Sequence, residues 1–127
     1  MPVPRPALLA ELGRRSIRTG VVTRNCRAAV IKTFSDIELY CQAVLTRDDA
    51  YRVKPHPENL MAALSLLGTH PADAVMVRDH PLDIQLGRET GTYTIGVLSG
   101  HSTREALFGA GADLILPDAS YILKNIP

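Results

Sequence analysis

The chain has few of the residues that mark disulfide-rich, zinc-binding or nucleic-acid-binding proteins. Its 127 residues include no tryptophan, two cysteines and only 5% aromatic residues. Cys26 and Cys41 match no zinc-ligand spacing, and we expect reduced thiols rather than a disulfide. A formal net charge of +1 argues against a polyanion binder that relies on bulk charge. Aromatic and basic residues form no platform for single-stranded nucleic acid.

Long apolar runs are also missing from the sequence. No stretch approaches the ~20 residues that a membrane-spanning helix needs. The opening residues, MPVPRPALL, place prolines where a secretion signal would have an unbroken apolar segment. We therefore expect a cytoplasmic protein that does not contact a membrane. With 46% hydrophobic and 21% charged residues, residues 1–127 have the composition of a single globular domain.

Short apolar segments alternate with segments of helical periodicity along the whole chain. Strands are predicted at residues 20–23, 43–46, 74–77, 93–98 and 114–116. Helices are predicted at residues 6 to about 15, about 27 to 34, 57 to 68, about 82 to 89, after the capping box of residues 102–105, and at 118–124. Strands joined by helix-length segments require right-handed crossovers. The expected fold is therefore α/β, a Rossmann-like three-layer α/β/α arrangement around a parallel sheet of about five strands.

Polar residues follow the first predicted strand, at the end of a parallel strand where such folds place their chemistry. Thr23 ends this strand, and Arg24 and Asn25 come next. The hydroxyl and free backbone N–H groups of a strand-to-helix junction can hold a phosphate oxygen. A routine helix cap is the alternative interpretation of Thr23.

A lysine in a stiff loop follows the second predicted strand. Lys54 precedes Pro55, which favours an extended backbone, and His56 and Pro57 lead into the next helix. A lysine held in such a loop can neutralise a phosphate. The alternative is a solvated surface lysine without a ligand.

Two carboxylates follow the third predicted strand. Asp79 ends the strand, and Asp83 lies four residues later, after a turn that His80 and Pro81 impose. Carboxylate oxygens that converge in this way suit a hard divalent cation, for which Mg²⁺ is the natural choice. The alternative is that Asp83 caps the following helix and Asp79 is an ordinary loop residue.

The order and spacing of these sites resemble the haloacid dehalogenase-like (HAD) hydrolase superfamily, and within it the phosphoglycolate-phosphatase-like enzymes. The resemblance rests on T-R-N, K-P-H-P-E, V-R-D-H-P-L-D-I and G-T-Y-T-I-G-V-L-S-G, and it extends from about residue 4 to 126. It implies that Thr23, Lys54 and Asp79 are catalytic residues, and that Thr23 and Lys54 hold the phosphoryl group together with Arg24 and Asn25. It further implies that Asp79 ligates Mg²⁺ with support from Asp83, and that the substrate is a small phosphorylated metabolite. Asn25 and Asp49 match positions that often line such sites.

Two features depart from the family pattern. Arg78 stands where a glycine usually precedes the first carboxylate, and its long cationic side chain could crowd the site or compete for Asp79. The family's DxD motif, whose first aspartate attacks phosphorus and whose second acts as general acid and base, does not occur in this sequence. The first acidic residue is Glu11, inside a predicted helix, and a cap domain is also absent. The resemblance therefore implies that this chain does not hydrolyse phosphate esters by itself.

The missing motif also affects the expected sheet. In the HAD sheet, a central strand separates the strand that ends at Thr23 from the strand that ends at Asp79. We expect these two strands to pair directly, in the strand order 2-1-3-4-5, which keeps every crossover right-handed.

Three functions stay open at this point. The chain is the C-terminal part of a HAD phosphatase, a non-catalytic descendant that binds a phosphorylated metabolite or a protein partner, or a receiver-like signalling domain. A receiver needs acidic residues after its first strand, whereas this first strand ends in Thr23 and Arg24.

Overall fold

The structure is a computed structural model that describes residues 6–23, 27–33, 37–46 and 57–125. The chain forms two compact units. The first is Pro2–Thr69, and the second is His70–Pro127. None of the helices within the described ranges is long and apolar enough to span a bilayer. The prediction of a single domain over the whole chain stays a prediction.

The first unit combines helices with a short parallel sheet. Its elements are α1 (Pro6–Arg14), β1 (Gly20–Val22), α2 (Arg27–Thr33), α3 (Ile37–Tyr40), β2 (Ala43–Leu45) and α4 (Pro57–Leu67). Strands β1 and β2 run parallel, with Val21 opposite Val44. The predicted apolar stripe of α1 is buried, and its residues are Leu8, Leu9 and Leu12.

Helix α4 lies against both strands of this sheet. Leu60 and Leu64 on its inner face are buried, as their helical spacing predicts. The helix stops at Gly68, whose φ of 64° is a left-handed conformation that glycine adopts at little cost. The predicted stop signal is therefore confirmed.

The second unit contains a three-stranded parallel sheet and its helices. Its elements are a 3-10 turn (Pro71–Asp73), β3 (Val75–Arg78), α5 (Pro81–Thr90), β4 (Tyr93–Val97), α6 (Arg104–Gly109), β5 (Leu114–Leu116) and a 3-10 helix (Ala119–Lys124). The strand order is β3-β4-β5, with Val77 opposite Ile95 and Ile95 opposite Leu114. The core includes Ile84, Ile95 and Leu107, each with no exposed surface.

Helix α5 is capped at both ends and packs closely against the sheet in its middle. Its first turn is capped by His80, whose Nδ1 accepts a hydrogen bond of 3.1 Å from the Leu82 N–H. It ends at Gly91, which has a φ of 94°. A Cβ on Gly87 would lie 2.7 Å from Thr94 Oγ1 and 2.8 Å from Met76 Sδ. Glycine at position 87 therefore allows the helix to approach β3 and β4.

Most predicted elements are confirmed, and the differences are local. Helix α3 and the 3-10 turn at Pro71–Asp73 are not predicted by the periodicity, because each is too short to show a helical repeat. The predicted N-cap of α6, from the capping box at residues 102–105, is wrong by one position. Thr103, not Ser102, caps α6, because its side chain accepts a 3.1 Å hydrogen bond from the Ala106 N–H.

The prediction of one closed five-stranded sheet is wrong. The described strands form two sheets, β1-β2 and β3-β4-β5, so the order 2-1-3-4-5 is not observed. Each observed ladder joins strands that follow one another in the chain, and a single crossover connects such strands. A ladder between β1 and β3 would have to join strands that are not consecutive. The α/β class and the parallel pairings 2-1, 3-4 and 4-5 are confirmed.

Candidate functional site

The structure divides the predicted site residues between the two units. Thr23 belongs to the first unit, whereas Asp79 and Asp83 belong to the second. Each of Thr23 and Asp79 directly follows a strand, as predicted. Three further predicted residues lie outside the described residues, namely Arg24, Asn25 and Lys54, and so does Asp49.

Asp79 lies at the carboxyl end of β3, beside the loop that follows β4. A Cβ on Gly100 in that loop would lie 2.7 Å from Asp79 Oδ2 and 2.9 Å from its Cβ and Cγ. Real Cβ atoms essentially never approach other atoms so closely, so the position next to Asp79 is open only to glycine. Asp79 is half-buried, and its side chain makes no hydrogen bond or ion pair with the residues that the structure describes. Its carboxyl group therefore fills the space that a side chain at position 100 would need.

Asp83 lies in the first turn of α5 and faces a cation of the chain itself. Nη2 of Arg78 donates a 3.0 Å hydrogen bond to Asp83 Oδ2, and the two groups form a salt bridge. The exposed fractions of these side chains are only 12% for Arg78 and 8% for Asp83. The sequence-based expectation is that Arg78 competes for Asp79. That expectation is wrong, because the guanidinium binds Asp83 instead. The alternative that Asp83 caps the helix is also wrong, because His80 is the cap.

The described residues do not complete a site for a divalent cation. No three His, Cys, Asp or Glu side chains come close enough to one another to hold a metal in the part of the chain that the structure describes. Of the predicted pair, Asp83 is engaged by a guanidinium, which leaves Asp79 as a single carboxylate. Since Mg²⁺ requires several oxygen ligands in a near-octahedral arrangement, the described residues do not fit this ion. The prediction of Mg²⁺ at Asp79 and Asp83 stays a prediction.

Thr23 continues the parallel ladder of the first unit. Its N–H donates a 2.9 Å hydrogen bond to the Leu45 carbonyl, one residue beyond the end of β1. Arg27, at the start of α2, donates through Nη2 to the Val44 carbonyl at 3.1 Å and so ties this helix to β2. Thr46, directly after β2, is 2% exposed. A threonine therefore directly follows each of these two strands. The predicted phosphate-binding role of Thr23 stays a prediction.

Sequence reasoning does not find two features of this site. A glycine after a strand indicates a turn, so the motif S-G gives no sign that Gly100 lies against Asp79. Arg78 is recognisable in the sequence as a departure from the family pattern. Its partner Asp83 is five residues away along the chain, and only the turn between β3 and α5 brings the two together.

Cys41 does not belong to a reactive site. It is a free thiol, 5% exposed, and burial raises its pKa from an ordinary 9.0 to about 11. Since the thiolate is the nucleophile and the metal ligand, a raised pKa makes this residue inert near neutral pH. The expected reduced state is confirmed for Cys41, and Cys26 lies outside the described residues.

Comparison with known proteins identifies the family. The model of the family described as haloacid dehalogenase-like hydrolases matches residues 6–97. This chain belongs to that family. Pyrophosphatase PpaX from Bacillus pumilus (strain SAFR-032) is 38% identical over 120 residues, which are 93% of this chain and 56% of the relative. The chain spans about half the length of the curated relatives that it matches.

Solved structures have the same fold. A hydrolase from Pseudomonas syringae matches with a TM-score of 0.82 at 22% identity, over 94% of this chain and 57% of that chain. CbbY from Rhodobacter sphaeroides, solved in complex with phosphate, matches with a TM-score of 0.74 at 26% identity, over 88% of this chain and 52% of that chain. The HAD resemblance and the α/β fold that it implies are confirmed.

Proposed function

We propose that this chain forms the phosphate-binding part of a HAD-family phosphohydrolase. The observation that carries the proposal is the position of Asp79, at the carboxyl end of β3 and against Gly100, in a chain of this family. Relatives named pyrophosphatase and a phosphate complex among the solved structures support a phosphoryl ligand. The proposed substrate class is a small phosphate monoester, with pyrophosphate as a second candidate.

The proposed roles follow the residues that match the family motifs. Thr23 and Lys54 bind the phosphoryl oxygens, one through its hydroxyl and the other through its ammonium group. Arg24 and Asn25 add donors from the segment after β1. Asp79 remains the proposed carboxylate for a cation. We also propose a cytoplasmic location and a function that does not involve nucleic acid.

We further propose that the isolated chain binds phosphate without hydrolysing its esters. The sequence contains no DxD motif, so the family's nucleophile and its general acid and base are not supplied by these residues. Binding and orientation of the phosphoryl group are the steps that this chain's own residues can perform.

A binding measurement and an activity assay test the two parts separately. Inorganic phosphate is titrated into the purified chain and followed by NMR, with Thr23→Ala and Lys54→Ala as variants. We expect weak binding in the wild type and weaker binding in both variants; a wild-type chain without any phosphate binding would contradict the proposal.

In the assay, p-nitrophenyl phosphate and pyrophosphate are supplied with Mg²⁺. Turnover that Asp79→Asn abolishes would show that the isolated chain is an enzyme.

A second candidate function is a non-catalytic protein that binds phosphorylated metabolites or a protein partner. The buried pair of Arg78 and Asp83 favours it, because this pair removes one carboxylate from the predicted metal site. A hybrid that joins the N-terminal part of the Bacillus pumilus relative to this chain distinguishes the two. Pyrophosphate hydrolysis by the hybrid supports the phosphohydrolase, whereas a folded but inactive hybrid supports the binding protein.

A further inference from the structure

The ion pair of Arg78 and Asp83 lies where the family resemblance predicts support for a metal. Arg78 Nη2 and Asp83 Oδ2 are 3.0 Å apart, and 12% and 8% of the two side chains are exposed. Water and salt screen a buried pair much less than a surface pair. The guanidinium therefore places a positive charge directly beside Asp83.

Both members of the pair are held by rigid elements. Arg78 is the last residue of β3 and lies opposite Gly96 of β4 in the parallel ladder. Asp83 is in α5, which His80 caps at its start and which packs closely against the sheet at Gly87. The backbone positions of both residues are therefore fixed by regular secondary structure.

The guanidinium changes the charge that a metal ion would encounter. Without Arg78, Asp79 and Asp83 would present two negative charges at the end of β3; with it, the three residues carry a single net negative charge. Arg78 directly precedes Asp79 in the chain, so a divalent cation at Asp79 would lie near a like charge. This repulsion lowers the affinity for the ion.

We propose that Arg78 is a built-in cation that occupies Asp83 and keeps the affinity of Asp79 for divalent cations low. The proposal rests on the proposed function in one respect, namely that Asp79 is the carboxylate available to a cation. Arg78 thereby determines whether Asp83 pairs with a guanidinium of the chain or with a metal ion.

Direct binding of Mn²⁺, measured by electron paramagnetic resonance of the free ion, tests the proposal. Arg78→Met and Arg78→Gln remove the charge and retain much of the side chain, and Arg78→Lys keeps the charge. We expect the wild type and Arg78→Lys to bind Mn²⁺ weakly, and the two neutral variants to bind about tenfold more tightly or better. The double variant Arg78→Met/Asp83→Asn should lose this gain, because the second carboxylate is removed together with the arginine.

Thermal unfolding provides a second readout that needs no catalysis. Mn²⁺ should raise the Tm of Arg78→Gln and leave that of the wild type nearly unchanged, since a ligand stabilises only the state that binds it. Arg78→Gln keeps a donor for Asp83, so the test does not depend on whether Arg78→Met folds. Tight Mn²⁺ binding by the wild type that Asp83→Asn removes, or no gain in either neutral variant, would overturn the proposal. Phosphate titration of the wild type in EDTA tests the proposed function separately.

Discussion

Gly100 lies so close to Asp79 that a methyl group on its Cα would be 2.7 Å from the carboxylate oxygen Oδ2. The loop after β4 thus leaves room for the Asp79 side chain at the end of β3 only because residue 100 is glycine. The contact also involves Cβ and Cγ of Asp79, each at 2.9 Å, so a rotation of the carboxylate alone cannot relieve it.

Gly100→Ala should displace Asp79 and destabilise the second unit. Overpacking of this kind costs about 1–3 kcal/mol in the free energy of unfolding. Urea denaturation measures the cost, and the phosphate titration shows whether the displaced carboxylate affects binding. Gly109→Ala is the matched control in the same unit, because a Cβ there meets no atom within 4 Å. Equal stability of the two variants would contradict the steric role of Gly100.

Gly87→Ala should also destabilise the protein, for a different reason. The added methyl would lie 2.7 Å from Thr94 Oγ1 and 2.8 Å from Met76 Sδ, and α5 would have to move away from β3 and β4. We expect a loss of about 1–3 kcal/mol in the free energy of unfolding. Gly13→Ala, in α1, serves as the control, since its Cβ has open space and the change should stabilise by about 0.5–1 kcal/mol. A Gly87→Ala protein as stable as the wild type would show that the helix can shift without cost.

Breaking the buried ion pair should be costly, and removing both partners should be much less so. Asp83→Asn leaves Arg78 beside a neutral amide, and loss of one partner of a buried pair costs about 3–5 kcal/mol. The double variant Arg78→Met/Asp83→Asn should recover most of this loss, because both charges of the pair are removed together. A double-mutant cycle in urea measures the coupling. Additive losses would indicate that the two groups do not stabilise each other.

The stability of the protein should fall with rising pH through the ionisation of Cys41. Burial raises the pKa of this thiol to about 11 from an ordinary 9.0, so the unfolded chain loses the proton first. The stabilisation that the protonated thiol contributes to the folded state is complete below about pH 9. It decreases as the pH rises toward about 11. Urea denaturation between these pH values measures it, and the Cys41→Ala variant should show a smaller decrease.

Reactivity gives an independent test of the same thiol. In a Cys26→Ser background, Cys41 should react slowly with Ellman's reagent at pH 8 and rapidly once urea unfolds the chain. Fast reaction in the native state would show that the thiol is accessible and that its pKa is not raised.

Much of the secondary structure and part of the candidate site could be predicted from local pattern. The stripe of Leu8, Leu9 and Leu12 predicts the buried face of α1, and the glycines at 68 and 91 predict where α4 and α5 end. These features depend on residues within one or two turns of each other. The position of Asp79 at a strand end follows for the same reason, because a short apolar run shows where its strand stops.

Other features could not be predicted, because they depend on distances between separate elements. No repeat or cap in the sequence shows that Arg78 binds Asp83 rather than Asp79, or that Gly100 lies against Asp79. The division of the strands into two sheets is likewise a matter of which ladders form between elements, not of which residues favour strand.

The amino-acid sequence by itself determined the α/β class, the order of the elements, the family motifs and the absence of a DxD nucleophile. These properties are local or compositional, so residue order suffices. The tertiary structure decided which cation pairs with Asp83 and which residue leaves room for Asp79. The first depends on a contact of 3.0 Å between β3 and α5, and the second on the close approach of the loop after β4, so neither follows from residue order alone.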